Sequence, residues 1–221
     1  MKNNFSPFAK WLFCCFTFIA ILIAVRIIYS GNKIYLFLIW NLFLAWIPYI
    51  LSLNFVNCIK QKKIVHALLF TSWLLFFPNA LYIVTDIIHI KERTPVPVWF
   101  DSTLLFISSF AGLALAFASI KNVENLIQHY FHKKFINAVV VALLFVGSFG
   151  IYLGRFQRWD SWDILNNPLS LAADILHRFT SPFIHTKTWA VTFLLTSLYA
   201  VCWFFIQSFP ISQNHSKQKN V

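Results

Sequence analysis

The chain has 221 residues, of which 59% are hydrophobic and only 11% are charged, and its formal net charge is +11. Soluble domains carry about 25% charged residues. The composition therefore excludes an ordinary soluble domain and predicts one polytopic transmembrane domain, residues 1–211, with the lipid bilayer as its partner. The Lys and Arg residues lie in short clusters between apolar runs, which argues against nucleic-acid binding. The four cysteines lack the paired spacing of a zinc site or a disulfide framework.

Six apolar runs are long enough to cross the hydrocarbon core, which requires about 20 helical residues. Pro48 lies within the second run and Pro78 near the end of the third, where a proline is expected to kink the helix without ending the span. Small residues four apart in the fourth run and glycines in the fifth predict close helix packing. The predicted spans are about 11–29, 35–56, 64–83, 102–120, 135–153 and 189–209.

Two segments lie outside these spans. Asn167 and Pro168 provide a capping residue and a favourable first helical residue, and polar side chains follow on one face as far as Phe179. This pattern predicts a short helix on the membrane surface. Residues 212–221 are polar and are predicted to form a disordered tail. The predicted fold is all-α, a polytopic integral membrane helical bundle with about six transmembrane helices plus a short interfacial helix.

Charge distribution predicts the orientation of the bundle. With the amino terminus inside, the inside segments hold slightly more Lys and Arg than the outside ones, as the positive-inside rule requires. An even number of spans then places both termini in the cytoplasm. In this orientation Glu124 is the one acidic residue inside, and the others gather on the outer face: Asp86, Glu92, Asp101, Asp160, Asp163 and Asp174.

A polar stripe ends the third span. Asn79, Tyr82, Asp86 and His89 recur at spacings of three and four, so on an α-helix they share one face. An aspartate facing lipid at mid-depth would cost about 2.5 to 3.5 kcal/mol, which favours a stripe that faces a polar cleft. The spacing of Asp86 and His89 suits an acid/base pair or two ligands of one metal.

A metal site at this stripe would need further ligands. Zinc sites take three or four protein ligands, so a metal at Asp86 and His89 requires one or more of Asp101, Asp160 and Asp163. The alternative interpretation is that Asp86 and His89 are interfacial residues bonded to each other or to a loop.

A second polar cluster follows the fifth span, between Gly154 and Asp163. A buried arginine keeps its charge and needs a carboxylate or an anionic ligand, and Asp86 is the expected partner of Arg155. The tryptophans indicate either an aromatic belt at the headgroup level or, with Arg155 and Arg158, a site for a phosphate-bearing lipid or sugar chain. If the helix continues past Gly154, one face carries Tyr152, Arg155, Trp159, Trp162 and Asp163.

Several stretches carry a family resemblance: Phe77-Pro-Asn-Ala-Leu-Tyr-Ile-Val-Thr-Asp86, Ile88-His89, Trp99-Phe-Asp101 and Gly150-Ile-Tyr-Leu-Gly-Arg-Phe-Gln-Arg-Trp-Asp-Ser-Trp-Asp163. They resemble the uncharacterised bacterial multi-pass membrane family called domain of unknown function 1361. Leu81 departs from that family's expected proline, and Asp160 departs from its expected asparagine. The resemblance implies a small protein of the bacterial cytoplasmic (inner) membrane whose activity has not been assigned.

The leading functional hypothesis is a polar pocket at the extracytoplasmic membrane interface that binds or processes an anionic, lipid-linked or sugar-linked ligand of the envelope. Asp86 and His89 are its candidate catalytic residues. Its candidate ligand-binding residues are Asn79, Tyr82, Asp101, Arg155, Arg158, Trp159, Trp162 and Asp163.

Two alternatives stay open. One is a small-solute or ion transporter, against which the scarcity of polar residues at mid-depth argues. The other is a structural or assembly protein without catalysis. The sequence names no cofactor, metal, ligand or oligomeric state, and it does not decide whether the protein is an enzyme.

Overall fold

The computed structural model describes residues 6–55, 63–128, 130–159 and 162–209, and within these ranges the chain forms helices and no β-strand. Two 3-10 segments accompany the helices in this part of the chain: Ile34–Leu36 precedes the second helix, and Ile83–His89 extends the third. The α-helices, named α1 to α8 in chain order, are Pro7–Ser30, Phe37–Leu53, Lys63–Tyr82, Val98–Ile127, Lys133–Gln157, Asp163–Asn166, Pro168–Thr180 and Thr186–Ser208.

Six helices in the described ranges are long and apolar enough to cross a membrane, which confirms the predicted fold. They are α1, α4, α5, α8 and two helices extended by the 3-10 segments, Ile34–Leu53 and Ile64–His89. Helix α1 begins earlier than predicted because the Ser6 side chain accepts the Ala9 amide at 3.2 Å and caps it. It ends where Gly31 adopts a φ of 67°, a conformation that glycine reaches without strain.

Helix α4 is the centre of the bundle. In its most apolar stretch of 18 residues, 61% of the residues are buried inside the protein, compared with 28% for α1 and 22% for α8. It packs against α1, α2, α3, the 3-10 segment Ile83–His89 and α5. Small residues make this close packing possible, since a Cβ added at Gly112 would lie 2.9 Å from the Ala80 carbonyl oxygen.

Helix α5 approaches α3 through two glycines. A Cβ at Gly147 would lie 2.9 Å from Phe77 Cε1, and one at Gly150 would lie 2.6 Å from Pro78 Cγ. The predicted close packing at these glycines is therefore confirmed, whereas a Cβ at Gly154 would meet ordinary contacts. This packing places the last turn of α5 beside the last turn of α3.

The predicted short helix after the fifth span is present as α7. Its Arg178 is buried, donates to Asp174 at 2.8 Å and to Thr188 of α8 at 3.0 Å, and so fastens α7 to the bundle. Asp174 also accepts the Trp159 indole N–H at 3.0 Å. The predicted tail, residues 212–221, lies outside the described residues.

Candidate functional site

The polar stripe of the third span lies partly on a 3-10 segment. Helix α3 ends at Tyr82 and the chain continues as the 3-10 segment Ile83–His89, so the prediction of one α-helical face is wrong beyond Tyr82. Residues three apart eclipse each other in a 3-10 helix, which keeps Asp86 and His89 on one edge. Side chains of neighbouring helices stabilise the change of helix type: Ser109 donates to the Ile83 carbonyl at 3.0 Å, and Tyr199 donates to the Leu81 carbonyl at 3.1 Å.

Arg155 reaches this edge from α5. Its Nε and Nη2 donate to Thr85 Oγ1 at 3.2 and 2.9 Å. Its Nη2 also donates to Asp86 Oδ1, and its Nη1 lies 3.2 Å from His89 Nε2. The guanidinium stacks on the Tyr82 ring, 4.0 Å from the centroid. The predicted ion pair between Asp86 and Arg155 is confirmed.

The hydrogen bonds define the state of the groups around Arg155. A guanidinium only donates, so His89 Nε2 must accept, and the imidazole is assigned as neutral with its proton on Nδ1. Asp86 is 1% exposed, and its second oxygen accepts the Asn41 side-chain amide at 2.9 Å. Asp86 therefore receives donors from α2 and α5 on its two oxygens.

Asp101 belongs to a different ion pair, which corrects its assignment to the pocket. Its two carboxylate oxygens accept Nε and Nη2 of Arg26 at 2.7 and 3.0 Å, and the two side chains are 1% and 2% exposed. Arg26 lies inside α1 because this helix continues to Ser30. The bidentate pair joins α1 to the first turn of α4.

Two further residues that the sequence analysis missed connect the ion pairs. The Arg26 guanidinium lies 4.5 Å from the centroid of the Tyr35 ring. Arg93 donates from Nη1 to the Tyr35 hydroxyl at 2.8 Å and to the His89 carbonyl at 3.0 Å. A polar network thus crosses one end of the bundle from α1 to α5. The sequence signal for Arg26 is its position in an apolar run, where Ile27 and Ile28 follow it directly.

A cleft of about 550 Å³ lies beside this network, between α2, α3, α5, α6 and α7. Ligand sites in proteins typically measure about 300 to 1,000 Å³. Exposed Trp40 and Thr71 place its opening on the side of the bundle. Among the described residues, its lining contains no Lys, Arg, Asp or Glu. The polar and indole-bearing lining residues are Trp40, Asn41, Thr71, Asn79, Tyr82, Trp159 and Trp162.

Comparison with known proteins gives one match. A family model described as "Protein of unknown function (DUF1361)" matches residues 40–202, which is more than half of the chain. The chain belongs to the DUF1361 family. No curated protein and no solved structure gives a significant match. The DUF1361 match begins at Trp40, so it includes every cleft-lining residue together with Asp86 and Arg155, whereas α1 and Arg26 precede it.

The predicted site residues of this DUF1361 protein divide into groups. Asn79, Tyr82, Trp159 and Trp162 line the cleft. Three predicted residues do not line it: Asp86, His89 and Arg155. Arg155 stacks on the lining residue Tyr82, and Asp86 accepts a hydrogen bond from the lining residue Asn41. The sequence analysis missed Asn41 as a site residue, and its sequence signal is a polar residue within an apolar span.

The segment after Gly154 departs from the predicted continuous helix. Helix α5 ends at Gln157, because Arg158 adopts a left-handed φ of 61° and the amides of Arg158 and Trp159 both donate to the Leu153 carbonyl. Arg158 is exposed. Asp163 begins α6 on a separate helix, so the predicted face shared by residues 152–163 is wrong. Asp160 and Ser161 lie outside the described residues.

The residues available for a metal are also separated. Within the described ranges, no three His, Cys, Asp or Glu side chains are placed to hold a metal ion. Asp101, a predicted ligand, is bonded to Arg26 instead. The DUF1361 description assigns no metal or cofactor.

Proposed function

We propose that this protein binds a lipid or lipid-linked ligand of the cell envelope, with the ligand's apolar chain in the cleft and its polar part beside Asn41, Asn79 and Tyr82. The observation that carries the proposal is the cleft itself, whose lining is mostly apolar and includes exposed residues, Trp40 and Thr71, on two of the membrane-spanning helices. A side opening between membrane-spanning helices admits a ligand from the bilayer, and the polar lining residues near one end suit a headgroup.

The network around Arg155 has a supporting role in this proposal. Arg155 stacks on Tyr82, and Asp86 holds the Asn41 amide, so both polar walls of the cleft depend on the ion pair. The acid/base role of Asp86 and His89 stays a prediction, and neither side chain lines the cleft.

A structural or assembly role without a ligand is the second candidate function. The observation that favours it is that Asp86 accepts hydrogen bonds on both oxygens while Arg155 contacts Thr85, Asp86 and His89. An ion pair with this many partners needs no further ligand, and loss of either partner would leave a buried charge uncompensated.

We expect a phosphatidylcholine with a diazirine at the end of one acyl chain to label the cleft. The purified protein would be placed in nanodiscs containing this probe, irradiated, and mapped by peptide mass spectrometry. Labels should concentrate on the cleft-lining parts of α3 and α5, around Leu75 and Val146. Leu75→Trp should reduce this labelling by about tenfold, the equivalent of about 1.4 kcal/mol in binding, because the larger ring fills the cleft.

The matched control for this experiment is Leu194→Trp on α8. Leu194 is 70% exposed and does not line the cleft, so this substitution should leave cleft labelling unchanged. Labelling spread evenly over all lipid-facing helices, with no response to Leu75→Trp, would contradict ligand binding and favour the structural role.

We also place the polar end of the cleft in the outer half of the bacterial cytoplasmic (inner) membrane, with both termini in the cytoplasm. Charge distribution supports this orientation. Alkaline phosphatase fused after Glu92 should be active, because this fusion point is placed outside the cytoplasm. A fluorescent protein that folds only in the cytoplasm should fluoresce when it is fused after Lys62, because this fusion point is placed inside. The reverse pattern would contradict the orientation and move the cleft to the inner leaflet.

A further inference from the structure

The charge of Arg155, which lies beside the cleft, is already paired. A guanidinium has five N–H groups, and contacts with Thr85, Asp86 and His89 use four of those on Arg155. A bidentate bond to a phosphate or carboxylate needs two donors from the same guanidinium. Arg155 cannot supply both while these contacts exist, and its charge is neutralised by Asp86.

The cleft offers a hydrogen-bond acceptor to its ligand. Asn41 lines the cleft and uses its side-chain nitrogen to donate to Asp86. Among the described residues, the hydrogen bond of the Asn41 side chain is the one from its nitrogen, which leaves Oδ1 to accept up to two bonds from a ligand. A phosphate or carboxylate has no proton to donate to this oxygen, whereas a hydroxyl group has one.

Three indole rings lie around the cleft. Trp40 precedes Asn41 on α2, and Trp159 and Trp162 belong to the segment that follows α5. Trp162 is 43% exposed and Trp40 is 53% exposed, so part of each ring is accessible to a ligand. Indole faces are large and apolar and suit the C–H faces of a sugar ring.

We propose that the polar part of the ligand is uncharged and rich in hydroxyl groups, as in a glycosylated lipid, and that an anionic headgroup is disfavoured. This proposal rests on the proposed function, because it names the headgroup of a ligand whose apolar chain occupies the cleft. It replaces the anionic ligand expected from the sequence, since Arg155, one of the two arginines behind that expectation, is neutralised by Asp86, and the other, Arg158, does not line the cleft.

Competition in nanodiscs tests the headgroup. The matrix is phosphatidylcholine with the diazirine probe, and the competitors are a monoglucosyl diacylglycerol, which is uncharged, and phosphatidylglycerol, which is anionic, with identical acyl chains. We expect the glucosyl lipid to halve cleft labelling at about a tenfold lower mole fraction than phosphatidylglycerol does.

Two variants connect this preference to the residues. Trp162→Leu removes an accessible ring and should bring the two competitors within about twofold of each other, a difference of less than half a kcal/mol. Asn41→Leu should do the same, and its folding is checked by thermal unfolding because Asp86 loses a donor. Trp99→Leu is the matched control, since Trp99 is 69% exposed and does not line the cleft.

The outcomes separate the headgroup proposal from the proposed function. Cleft labelling that phosphatidylglycerol displaces as well as, or better than, the glucosyl lipid would overturn the uncharged headgroup and leave lipid binding in place. A preference that Trp162→Leu and Trp99→Leu reduce equally would overturn the assigned location. Absence of cleft-specific labelling would overturn lipid binding, and the headgroup proposal with it.

Discussion

Replacing Asp101 with alanine is expected to destabilise the protein by about 3 to 5 kcal/mol, because it leaves the charge of Arg26 buried without its carboxylate partner. Arg26 is 2% exposed, and its Nη1 already has no hydrogen-bond partner among the described residues. For a chain of this size the loss corresponds to a decrease of about 6 to 20 °C in the unfolding midpoint. Tryptophan fluorescence during heating in detergent micelles would measure it.

Two comparisons separate this effect from a general loss of packing. Combining Arg26→Met with Asp101→Leu removes both charges and should restore most of the midpoint, since apolar replacement of a buried pair is often neutral or stabilising. Lys121→Ala removes an ion pair whose lysine is 52% exposed and should cost less than about 1 kcal/mol. A midpoint for Asp101→Ala equal to that for Lys121→Ala would refute the stabilising role of the buried pair.

The second large effect is expected for Arg155→Ala. This substitution leaves Asp86, which is 1% exposed, with Asn41 as its remaining donor, and the expected loss is again about 3 to 5 kcal/mol. Arg155→Lys keeps the charge but replaces a planar fork with a single ammonium, so it should give an intermediate midpoint. Cleft labelling by the diazirine lipid should fall in both variants, because Tyr82 loses the planar guanidinium stacked on it.

Arg158→Ala provides the control for Arg155. Arg158 lies three residues further along the chain and is exposed, so its removal should change stability by less than about 0.5 kcal/mol. Adding Asp86→Asn to Arg155→Ala should recover part of the loss, since the remaining buried group is then neutral. Equal midpoints for Arg155→Ala and Arg158→Ala would show that the guanidinium contacts do not stabilise the fold.

The six spans could be predicted because apolar length is a local property of the sequence. A run such as residues 135–153 needs no partner to be recognised, and the bilayer requirement for about 20 apolar residues gives its approximate bounds. The pairing of Asp86 with Arg155 could also be predicted, since both groups lie near span ends that an antiparallel arrangement brings to one level. A buried arginine at that level needs a carboxylate.

The change of helix type after Tyr82 could not be predicted, because residues far along the chain stabilise it. Ser109 donates a hydrogen bond to the Ile83 carbonyl, and Tyr199 donates one to the Leu81 carbonyl. The sequence around Tyr82 contains no signal for either contact. The end of α5 was missed for another reason. Its left-handed residue is Arg158, whereas the usual sequence signal for such an end is glycine.

The pair of Arg26 and Asp101 was missed because each residue had a sufficient local explanation. Arg26 lies near the end of the predicted first span, residues 11–29, where basic residues commonly lie at the membrane surface. Asp101 was assigned to the outer acidic group and from there to the pocket. Their sequence separation of 75 residues leaves only the three-dimensional packing of α1 against α4 to join them.

Glycine packing between α3 and α5 determines how far the Arg155 side chain has to extend. Gly150 rests on Pro78, and the guanidinium one and a half turns later meets Thr85 and Asp86. The interaxial distance and the length of one arginine side chain are therefore matched dimensions. A larger residue at position 150 would move the helices apart, and the Arg155 side chain would then be too short to reach Asp86. A substitution at an uncharged position can therefore weaken the ion pair.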